Sequence, residues 1–305
     1  MKLVSFRSSA AFGEEPGRGD RLGIVEHDRV VPTSSLGDGL PGTMAELLAG
    51  WPATFKRLGA AWESMAASDG ADALGLALAL EEVELLAPVP RPGKIAAAGV
   101  NYQSHGAEQN RPPPDHPVLF AKFATAVIGH RQPVRWSTEL TQAVDFEAEL
   151  AVVIGRTTRR VDAAQALQHV AGYTCLNDVS ARDLQYADKQ FVRAKSLDTF
   201  CPMGPWLVTA DEIPDPQALR IQCLVNGDVM QDASTAEMVF GVAALISFCS
   251  HAFTLEPGDV IATGTPAGVG WYREPKQMLK DGDVVEVRIE RIGSLINVCA
   301  EDGGV

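Results

Sequence analysis

The chain of 305 residues carries 26 basic and 39 acidic side chains, a net charge of −13, and is 46% hydrophobic. This composition is typical of a folded globular protein and excludes a disordered one. A nucleic-acid or anionic-membrane surface needs concentrated positive charge, and the sequence has no dense basic stripe. We therefore expect a small-molecule partner, with neither nucleic acid nor membrane.

Two further features concern the compartment. Residues 1–10 contain no apolar core of a secretion signal, which predicts a cytoplasmic protein. The five cysteines are odd in number, widely spaced and without a CxxC pair. This pattern favours buried free thiols in a reducing compartment over a disulfide framework or a thiolate metal site.

The first part of the chain predicts a small N-terminal α+β domain, residues 1–88. Its pattern indicates a hairpin with strands at Gly23–Val25 and Val30–Pro32. Apolar side chains at helical spacing predict a helix within Trp51–Met65. The segment Ala87–Gly93 contains three prolines, which interrupt regular structure on either side, so the domain boundary is placed there.

Residues 89–305 predict a catalytic domain dominated by short strands, so the fold class is α+β and mostly β. Asn226-Gly227 predicts a tight hairpin turn, because both residues tolerate positive φ. A single apolar stripe predicts one long helix over Thr235–Ala252. The predicted strands are Ile95–Ala98, Val118–Phe123, Val144–Ile154, Gly172–Asn177, Pro205–Val208, Leu219–Val225, Val229–Gln231, Val260–Thr263 and Val284–Ile289.

The segment Asp145–Ile154 carries the first chemical signal. Alternation along a strand would project Asp145, Glu147 and Glu149 from one face, directly before an apolar run. Two carboxylates about 4 Å apart repel by about 4 kcal/mol at an effective dielectric near 20, so burying them requires protonation or a cation. Asp178 follows another apolar strand and can complete the cluster. An all-oxygen site prefers Mg²⁺ or Mn²⁺, whereas the alternative from spacing alone is a set of exposed acids in surface ion pairs.

Several motifs together resemble the fumarylacetoacetate hydrolase family, in particular its shorter bacterial-type members with acylpyruvase and diketo-acid hydrolase activities. The resemblance covers residues 94–298 and rests on five ordered segments. These are Gly99–Glu108 (GVNYQSHGAE), Asp145–Leu150 (DFEAEL), Gly172–Asp183 (GYTCLNDVSARD), Ala194–Phe200 (AKSLDTF) and Gly258–Gly270 (GDVIATGTPAGVG).

The resemblance implies a mixed β-sandwich roll around a metal site and a homodimer. It implies that Glu147, Glu149 and Asp178 are the metal ligands, with Mg²⁺ or Mn²⁺ as cofactor and Ca²⁺ as a possible substitute. It also implies that Lys195 is the active-site lysine.

The resemblance further matches His105 and Glu108 to a catalytic dyad on a lid segment. Residues three apart on a helix are neighbours, so Glu108 can orient the imidazole as a general base. A lone surface histidine is the alternative.

Four other residues are candidates for substrate binding. The fork of Arg182 suits a carboxylate, although a structural salt bridge is nearly as good an interpretation. Gln185 lies one helical turn further, Lys122 is a weaker candidate of the same kind, and Thr265 can donate a hydrogen bond from the glycine-rich segment.

Other classes of site do not fit. Gly264–Gly270 lacks the pattern of a phosphate loop or a dinucleotide fingerprint, and the chain has no GxSxG or HExxH motif, which excludes the nucleotide, serine-hydrolase and zincin interpretations. Residues 271–273 after that segment (Trp, Tyr, Arg) are candidate lid or specificity contacts.

Three functional hypotheses follow. The first is Mg²⁺- or Mn²⁺-dependent hydrolysis of a C–C bond in a 2,4-dioxo acid of acylpyruvate or fumarylpyruvate type, through a stabilised enolate. The second is an isomerase of 2-hydroxyhepta-2,4-diene-1,7-dioate type, an oxaloacetate decarboxylase or a lyase, with the same metal site and no hydrolytic water. The third is a catalytically silent binding paralogue.

Overall fold

The computed structural model describes residues 1–8, 19–67, 75 and 77–302. The helices are α1 (Met44–Ala49), α2 (Ala53–Ala67), α3 (Gln103–Glu108), α4 (Ala163–Ala166), α5 (Arg182–Asp188), α6 (Val192–Lys195) and α7 (Val242–Ala252). The strands are β1 (Lys2–Ser8), β2 (Arg21–Glu26), β3 (Arg29–Pro32), β4 (Leu78–Ala79), β5 (Val83–Leu85), β6 (Ile95–Gly99), β7 (Val118–Lys122), β8 (Val127–Ile128), β9 (Val134–Ser137), β10 (Val144–Asp145), β11 (Ala148–Ile154), β12 (Val170–Asn177), β13 (Ser180–Ala181), β14 (Cys201–Thr209), β15 (Arg220–Val225), β16 (Asp228–Ser234), β17 (Val260–Ala262), β18 (Val284–Ile289) and β19 (Gly293–Asp302).

Among the described residues, these strands form a 12-stranded mixed sheet, a 5-stranded mixed sheet and a two-stranded pair. The large sheet has the order β4-β3-β2-β1-β14-β12-β11-β17-β6-β7, with β5 on β1 and β8 on β14. The small sheet has the order β16-β15-β18-β19-β9, and β10 pairs with β13. The predicted α+β, mostly β fold class is confirmed.

Strand β11 is buried along its whole length and explains how the layers pack. Leu150 and Val152 face a core shared with the small sheet and α7. Ala151 and Val153 face the opposite core, to which α1 and α2 contribute Leu48 and other leucines. Because successive side chains point to opposite faces, a continuous apolar run is what a strand with two covered faces requires.

The N-terminal residues extend the large sheet. β1 pairs antiparallel with β14, with Leu3 opposite Leu207. The predicted hairpin forms as β2 and β3, with Val25 opposite Val30. The division at residue 88 stays a prediction, since strand pairing runs across it.

The predicted long helix over Thr235–Ala252 is wrong in its first part. A short 3-10 turn covers Thr235–Glu237, and the α-helix begins only at Val242. The cause is the side chain of Asn101, which donates to the Phe240 carbonyl at 2.9 Å and accepts from the Phe240 N–H at 2.9 Å. These bonds replace the intrahelical bonds that a continuous helix would need.

The predicted strands from Ile95 onward form close to their expected positions, except that Val144–Ile154 is interrupted between β10 and β11. The Asn226-Gly227 hairpin turn is confirmed, with φ of 53° and 88°. All five cysteines are free and buried, as predicted. No helix in the described ranges is long and apolar enough to span a membrane.

Candidate metal centre and active site

The three predicted ligand carboxylates converge at one end of the large sheet. β11 and β12 pair antiparallel with Ala148 opposite Asn177, so the start of one strand meets the end of the other. The N–H of Asp178 then donates to the carbonyl of Glu147 at 2.9 Å. Ligand oxygens of Glu147, Glu149 and Asp178 all lie within 4.8 Å of one another, in the only such group found in the described part of the chain.

Two buried lysines contact these acids. The ammonium of Lys195 donates to Glu147 Oε2 at 2.8 Å and to Asp178 Oδ2 at 2.7 Å. It also donates to the hydroxyl of Ser180 at 2.8 Å. Lys122 Nζ donates to Asp178 Oδ1 at 2.5 Å from the other side of that carboxylate. Both lysines therefore hold the ligand set in place, and Lys122 does so through its contact with Asp178.

Asp145 does not share the face of the other two acids, contrary to the expectation from alternation. The strand stops at Asp145 and resumes at Ala148, which removes the strict two-residue period between them. Its carboxylate accepts from Arg182 Nε at 2.8 Å and from the N–H of Gly270 at 2.8 Å. Asp145 thus anchors an arginine and the 270–271 backbone.

The pKa values of the two glutamates shift in opposite directions because of their neighbours. Burial alone would raise the pKa of Glu147, but the Lys195 ammonium and the Arg182 guanidinium hold the pKa well below its usual range. Arg182 Nη2 lies 2.7 Å from Glu147 Oε1. The pKa of Glu149 is instead raised well above its usual value, because burial removes water and the carboxylates of Asp178 and Glu147 repel its charge.

This donor set fits a hard divalent cation. Within the described residues, Glu149 makes no ion pair, and its carboxylate accepts only the N–H of Gly264 at 2.8 Å. Gly264 has φ of +92°, and a Cβ there would lie 2.8 Å from the side chain of Asn101. Carboxylate oxygens alone select Mg²⁺, Mn²⁺ or Ca²⁺ over softer ions. A dication at this point would remove the repulsion that raises the pKa of Glu149.

A cavity of about 320 Å³ opens above the carboxylates. It brings together most of the residues predicted from sequence, including Glu147, Glu149, His105, Lys195 and Thr265, whereas Asp178, Glu108 and Lys122 lie outside its lining. The other lining residues are Ala98, Gly99, Val100, Gln109, Arg111, Phe120, Arg182, Gln185, Tyr186, Lys189, Phe191 and Tyr272.

The predicted dyad forms on the short helix α3. His105 Nδ1 lies 2.5 Å from Glu108 Oε1, and Glu108 Oε2 accepts the N–H of Gly268 at 2.9 Å. The amide Nε2 of Gln109 lies 2.7 Å from His105 Nε2. Since Gln109 donates there, the imidazole carries its proton on Nδ1 and offers a lone pair on Nε2. In this structure the lone pair accepts the Gln109 N–H, and Nε2 becomes the basic position that a general base needs when that amide moves away.

Arg182 makes the structural ion pairs that its sequence position allowed, and it also lines the cavity, so a role in substrate binding stays a prediction. It is fully buried and paired with Asp145 and Glu147, and its Nη1 donates to Gln185 Oε1 at 3.0 Å, yet both side chains line the cavity. Its polar edge is therefore held rigid for a ligand.

The aromatic pair after the glycine-rich segment lies at the cavity rim. The hydroxyls of Tyr272 and Tyr186 are 2.7 Å apart, and Trp271 stacks on the Tyr186 ring at 5.2 Å. Arg273 instead donates to the carbonyls of Gly268 and Met230. Residues 271–272 are thus rim contacts, while Arg273 holds the backbone.

Sequence reasoning missed Gln109, Arg111, Lys189 and Gln231. Gln109 and Arg111 directly follow the dyad, and their polar character next to a motif was the available signal. Gln231 lies in an unremarkable hairpin strand, where no local pattern indicates a role.

Comparison with known proteins shows which family the chain belongs to. A family model for the C-terminal domain of fumarylacetoacetate (FAA) hydrolase matches residues 94–300. The chain is 43% identical over 301 residues to the human mitochondrial oxaloacetate tautomerase FAHD2A, covering 97% of this chain and 91% of the relative.

Two solved structures show the same fold. Fumarylacetoacetate hydrolase from psychrophilic Exiguobacterium antarcticum superimposes with a TM-score of 0.80 and 37% identity, over 99% of this chain and 100% of the other. Maleylpyruvate hydrolase from Sphingobium sp. SYK-6, in complex with manganese(II) and pyruvate, gives 0.74 and 32% over 99% of each chain.

The fold and the carboxylate site define an enzyme of the fumarylacetoacetate hydrolase class. The chain belongs to this family, which confirms the resemblance seen in the motifs. Its named relatives are tautomerases, isomerases and hydrolases. The tautomerase relative carries a mitochondrial name, so a cytoplasmic location stays a prediction for this chain.

Proposed function

We propose that the protein is a divalent-metal-dependent enzyme that acts on 2-oxo acids through an enolate. The observation that carries this proposal is that a cluster of three carboxylates, a buried lysine and a histidine oriented by Glu108 lie together, with Glu147, Glu149, Lys195 and His105 lining one cavity. Glu147, Glu149 and Asp178 would hold Mg²⁺ or Mn²⁺, with Ca²⁺ as a substitute. A cation held there would supply positive charge to the carboxylate and 2-oxo oxygens of the substrate.

Lys195 supplies the second positive charge. Burial alone would lower the pKa of its ammonium, but the carboxylates of Asp178 and Glu147 raise it, so the lysine stays charged. A fixed ammonium beside the 2-oxo oxygen would stabilise the negative charge that develops as an enolate forms. Its three N–H groups are donated to Glu147, Asp178 and Ser180, so the ammonium acts on the enolate through its fixed charge, and little reorganisation is needed.

The dyad supplies the proton transfer. Once the Gln109 amide moves off it, His105 Nε2 can take a proton from water, while Glu108 stabilises the resulting imidazolium through Nδ1–H. The water oxygen would attack the distal carbonyl of a 2,4-dioxo acid, the C–C bond would break, and the electron pair would remain on the enolate fragment. Protonation of that fragment gives a 2-oxo acid, and the other product is a carboxylic acid.

The rim favours a substrate with a second carboxylate. Arg111 and Lys189 line the cavity from opposite segments, and among the described residues neither makes an ion pair. Arg182 and Lys195, in contrast, are already paired with the ligand carboxylates. Two uncommitted cations at the rim suit a dicarboxylic oxo acid better than a neutral acyl chain.

Keto–enol isomerisation of oxaloacetate is the second candidate. It is favoured by 43% identity to a tautomerase over 97% of this chain, and oxaloacetate has the two carboxylates that the rim suits. The same dyad would then move a proton to and from C3 of the substrate, with no water attack and no C–C cleavage. Decarboxylation of oxaloacetate would instead start from the keto form: the C3–C4 bond would break, CO₂ would leave, and the electron pair would form the enolate of pyruvate, which the same positive charges would stabilise.

Product analysis separates these reactions. Purified protein with Mn²⁺ would be given fumarylpyruvate, acetylpyruvate and enol-oxaloacetate, and products would be followed by NMR. Pyruvate plus fumarate shows hydrolysis, unchanged mass with interconverting keto and enol signals shows tautomerisation, and CO₂ shows decarboxylation. If the metal-loaded wild type turns over none of these substrates and is as inactive as Glu149→Ala, the proposal is overturned in favour of a silent paralogue.

We further propose a homodimer, supported by the family resemblance alone. The chain has a mass of 32.5 kDa, and light scattering of the purified protein should give twice that value. A monomer at micromolar concentration would contradict it.

A further inference from the structure

A buried glutamine connects the small sheet to the cavity. Gln231 lies on β16, opposite Cys223, while the next pair in the register joins Leu224 with Val229. Met230 is therefore an extra residue, a β-bulge that turns the Gln231 side chain away from the regular alternation of the strand. The side chain is 1% exposed. The proposed function does not involve Gln231.

The orientation of the Gln231 amide is fixed by backbone groups. Its Oε1 accepts the N–H of Ala148 at 2.9 Å, and its Nε2 donates to the carbonyl of Pro266 at 2.7 Å. An N–H can only be bound by the oxygen and a carbonyl only by the nitrogen, so a flipped amide would lose both bonds. The second hydrogen of Nε2 then points at Thr265 Oγ1, 2.8 Å away.

This bond determines what the hydroxyl of Thr265 can do. Because Gln231 is the donor, the threonine oxygen accepts, and its own hydrogen must be donated elsewhere. Within the described residues, the Thr265 side chain makes no other hydrogen bond, and Thr265 lines the cavity beside Glu149 and Lys195. The hydroxyl hydrogen is left for a ligand.

We propose that Gln231 is a positioning residue that fixes Thr265 as a hydrogen-bond donor to the carboxylate of a bound 2-oxo acid. The inference rests on the proposed function, since it assumes an oxo acid in the cavity. Without Gln231, the hydroxyl could rotate and donate to the Pro266 carbonyl, whose partner would be lost at the same time. A donor fixed before binding costs less ordering on binding.

A purely structural role is the competing explanation. Through Ala148, Gln231 also holds the backbone between the two ligand glutamates, Glu147 and Glu149. Loss of this bond would disturb the metal ligands regardless of Thr265. The test therefore has to measure cation binding and oxo-acid binding separately.

The experiment is a double-mutant cycle on the full chain with Mn²⁺ and pyruvate as probes. Gln231→Met, Thr265→Val and the double variant are titrated with Mn²⁺, and the Mn²⁺-loaded proteins are then titrated with pyruvate by calorimetry. Each single change should weaken pyruvate binding by about 10-fold, the factor expected for one hydrogen bond to a charged group. The double variant should match Thr265→Val within about twofold, with Mn²⁺ affinity changed by less than about fivefold throughout.

Two further variants keep the test decisive. Gln231→Glu keeps an acceptor for Ala148 but has no amide donor for Thr265, so it should lose pyruvate affinity like Thr265→Val even if Gln231→Met folds poorly. Gln222→Met is the control, because Gln222 is 8% exposed on the neighbouring strand and lies outside the cavity lining. Its pyruvate and Mn²⁺ affinities should equal those of the wild type.

Additive losses in the cycle, full pyruvate affinity in Gln231→Glu, or loss of Mn²⁺ binding in Gln231→Met with Thr265→Val unaffected would overturn the positioning role. Each of these outcomes leaves the proposed function standing. If the Mn²⁺-loaded wild type binds neither pyruvate nor oxaloacetate, the proposed function falls, and the inference about Gln231 falls with it.

Discussion

The described part of the molecule has a cavity that is larger than the candidate active site and lies apart from it. A cavity of about 610 Å³ lies between residues 79–85, residues 130–133 and Trp206, almost twice the volume of the one above the carboxylates. Its charged lining residues, such as Glu84 and Arg131, are exposed. In the smaller cavity the charges of Glu147, Glu149, Arg182 and Lys195 are buried and converge on one point, while Arg111 and Lys189 at the rim are exposed. Buried charges that compensate one another cost free energy to assemble, so their convergence marks a site better than volume does.

The largest expected effect comes from removing a ligand charge. Glu149→Gln keeps the acceptor for the Gly264 N–H but removes a negative charge from the proposed metal site. Activity should fall by about 10³- to 10⁴-fold because the several kcal/mol supplied by the cation are lost. Calorimetric Mn²⁺ titration and steady-state kinetics check this.

The metal-free Glu149→Gln protein should be at least as stable as the wild type, because the repulsion from Asp178 and Glu147 disappears. The matched control is Glu84→Gln in the larger cavity, which should leave activity unchanged. Equal losses of activity in Glu149→Gln and Glu84→Gln would show that the two cavities do not differ in function.

The second effect concerns the dyad. His105→Asn removes the basic nitrogen and should lower kcat by about 10²- to 10⁴-fold. Pyruvate binding to the Mn²⁺-loaded protein should remain within about threefold of the wild type, because the dyad contacts neither the carboxylates nor Lys195. Unchanged kcat would exclude His105 as the proton-transfer group.

The third effect concerns the buried ammonium. Lys195→Met should lower kcat by about 10²- to 10³-fold, the cost of removing one fixed positive charge beside a developing oxyanion. Arg131→Met provides the comparison in the larger cavity, and its kinetics should match the wild type. If the Lys195→Met substitution changes only KM and leaves kcat unchanged, the lysine acts in substrate binding alone.

The smallest effect on activity, and a measurable one on stability, is expected at the larger cavity. Burial, together with the charge of Arg131, lowers the pKa of His130 to about 4, from an ordinary value of 6.5. The unfolded chain then binds more protons than the folded one between these values, so stability is present above pH 6.5 and is lost as the pH falls to about 4. The loss is on the order of 2 kcal/mol for this partly buried group.

Denaturant unfolding from pH 7 to pH 4 measures this loss. His130→Gln should flatten the slope in that window, since its amide nitrogen does not titrate and the Ile296 N–H, now bound by His130 Nδ1 at 3.2 Å, can be bound by the amide oxygen. Turnover at pH 7 should not change. A variant with the wild-type pH slope would place the titration elsewhere.

The sequence predicted the metal ligands because the signal was local. Glu147, Glu149 and Asp178 each lie next to a buried apolar strand, and antiparallel pairing of two such strands is enough to bring them together. The dyad was accessible for the same reason, since its members lie one helical turn apart. Their roles in binding and catalysis stay predictions.

Features that depend on distant contacts could not be predicted. Asp145 left the expected face because Arg182 and the 270–271 backbone bind it. The helix began late because Asn101 binds Phe240, which is 139 residues away. The orientation of Gln231 depends on a bulge whose register is set by the neighbouring strand. In each case a tertiary hydrogen bond overrode a local period.

Because strand β11 is covered on both faces, substitutions at the metal centre and substitutions at the cavity rim have different consequences. The ligand carboxylates inherit their positions from sheet register, and a one-residue slip of β11 would turn Glu149 to the wrong side. The rim groups Arg111, Lys189 and Tyr272 belong to short connecting segments that tolerate replacement. New substrates can therefore be reached by exchanging the rim while the chemical centre stays untouched.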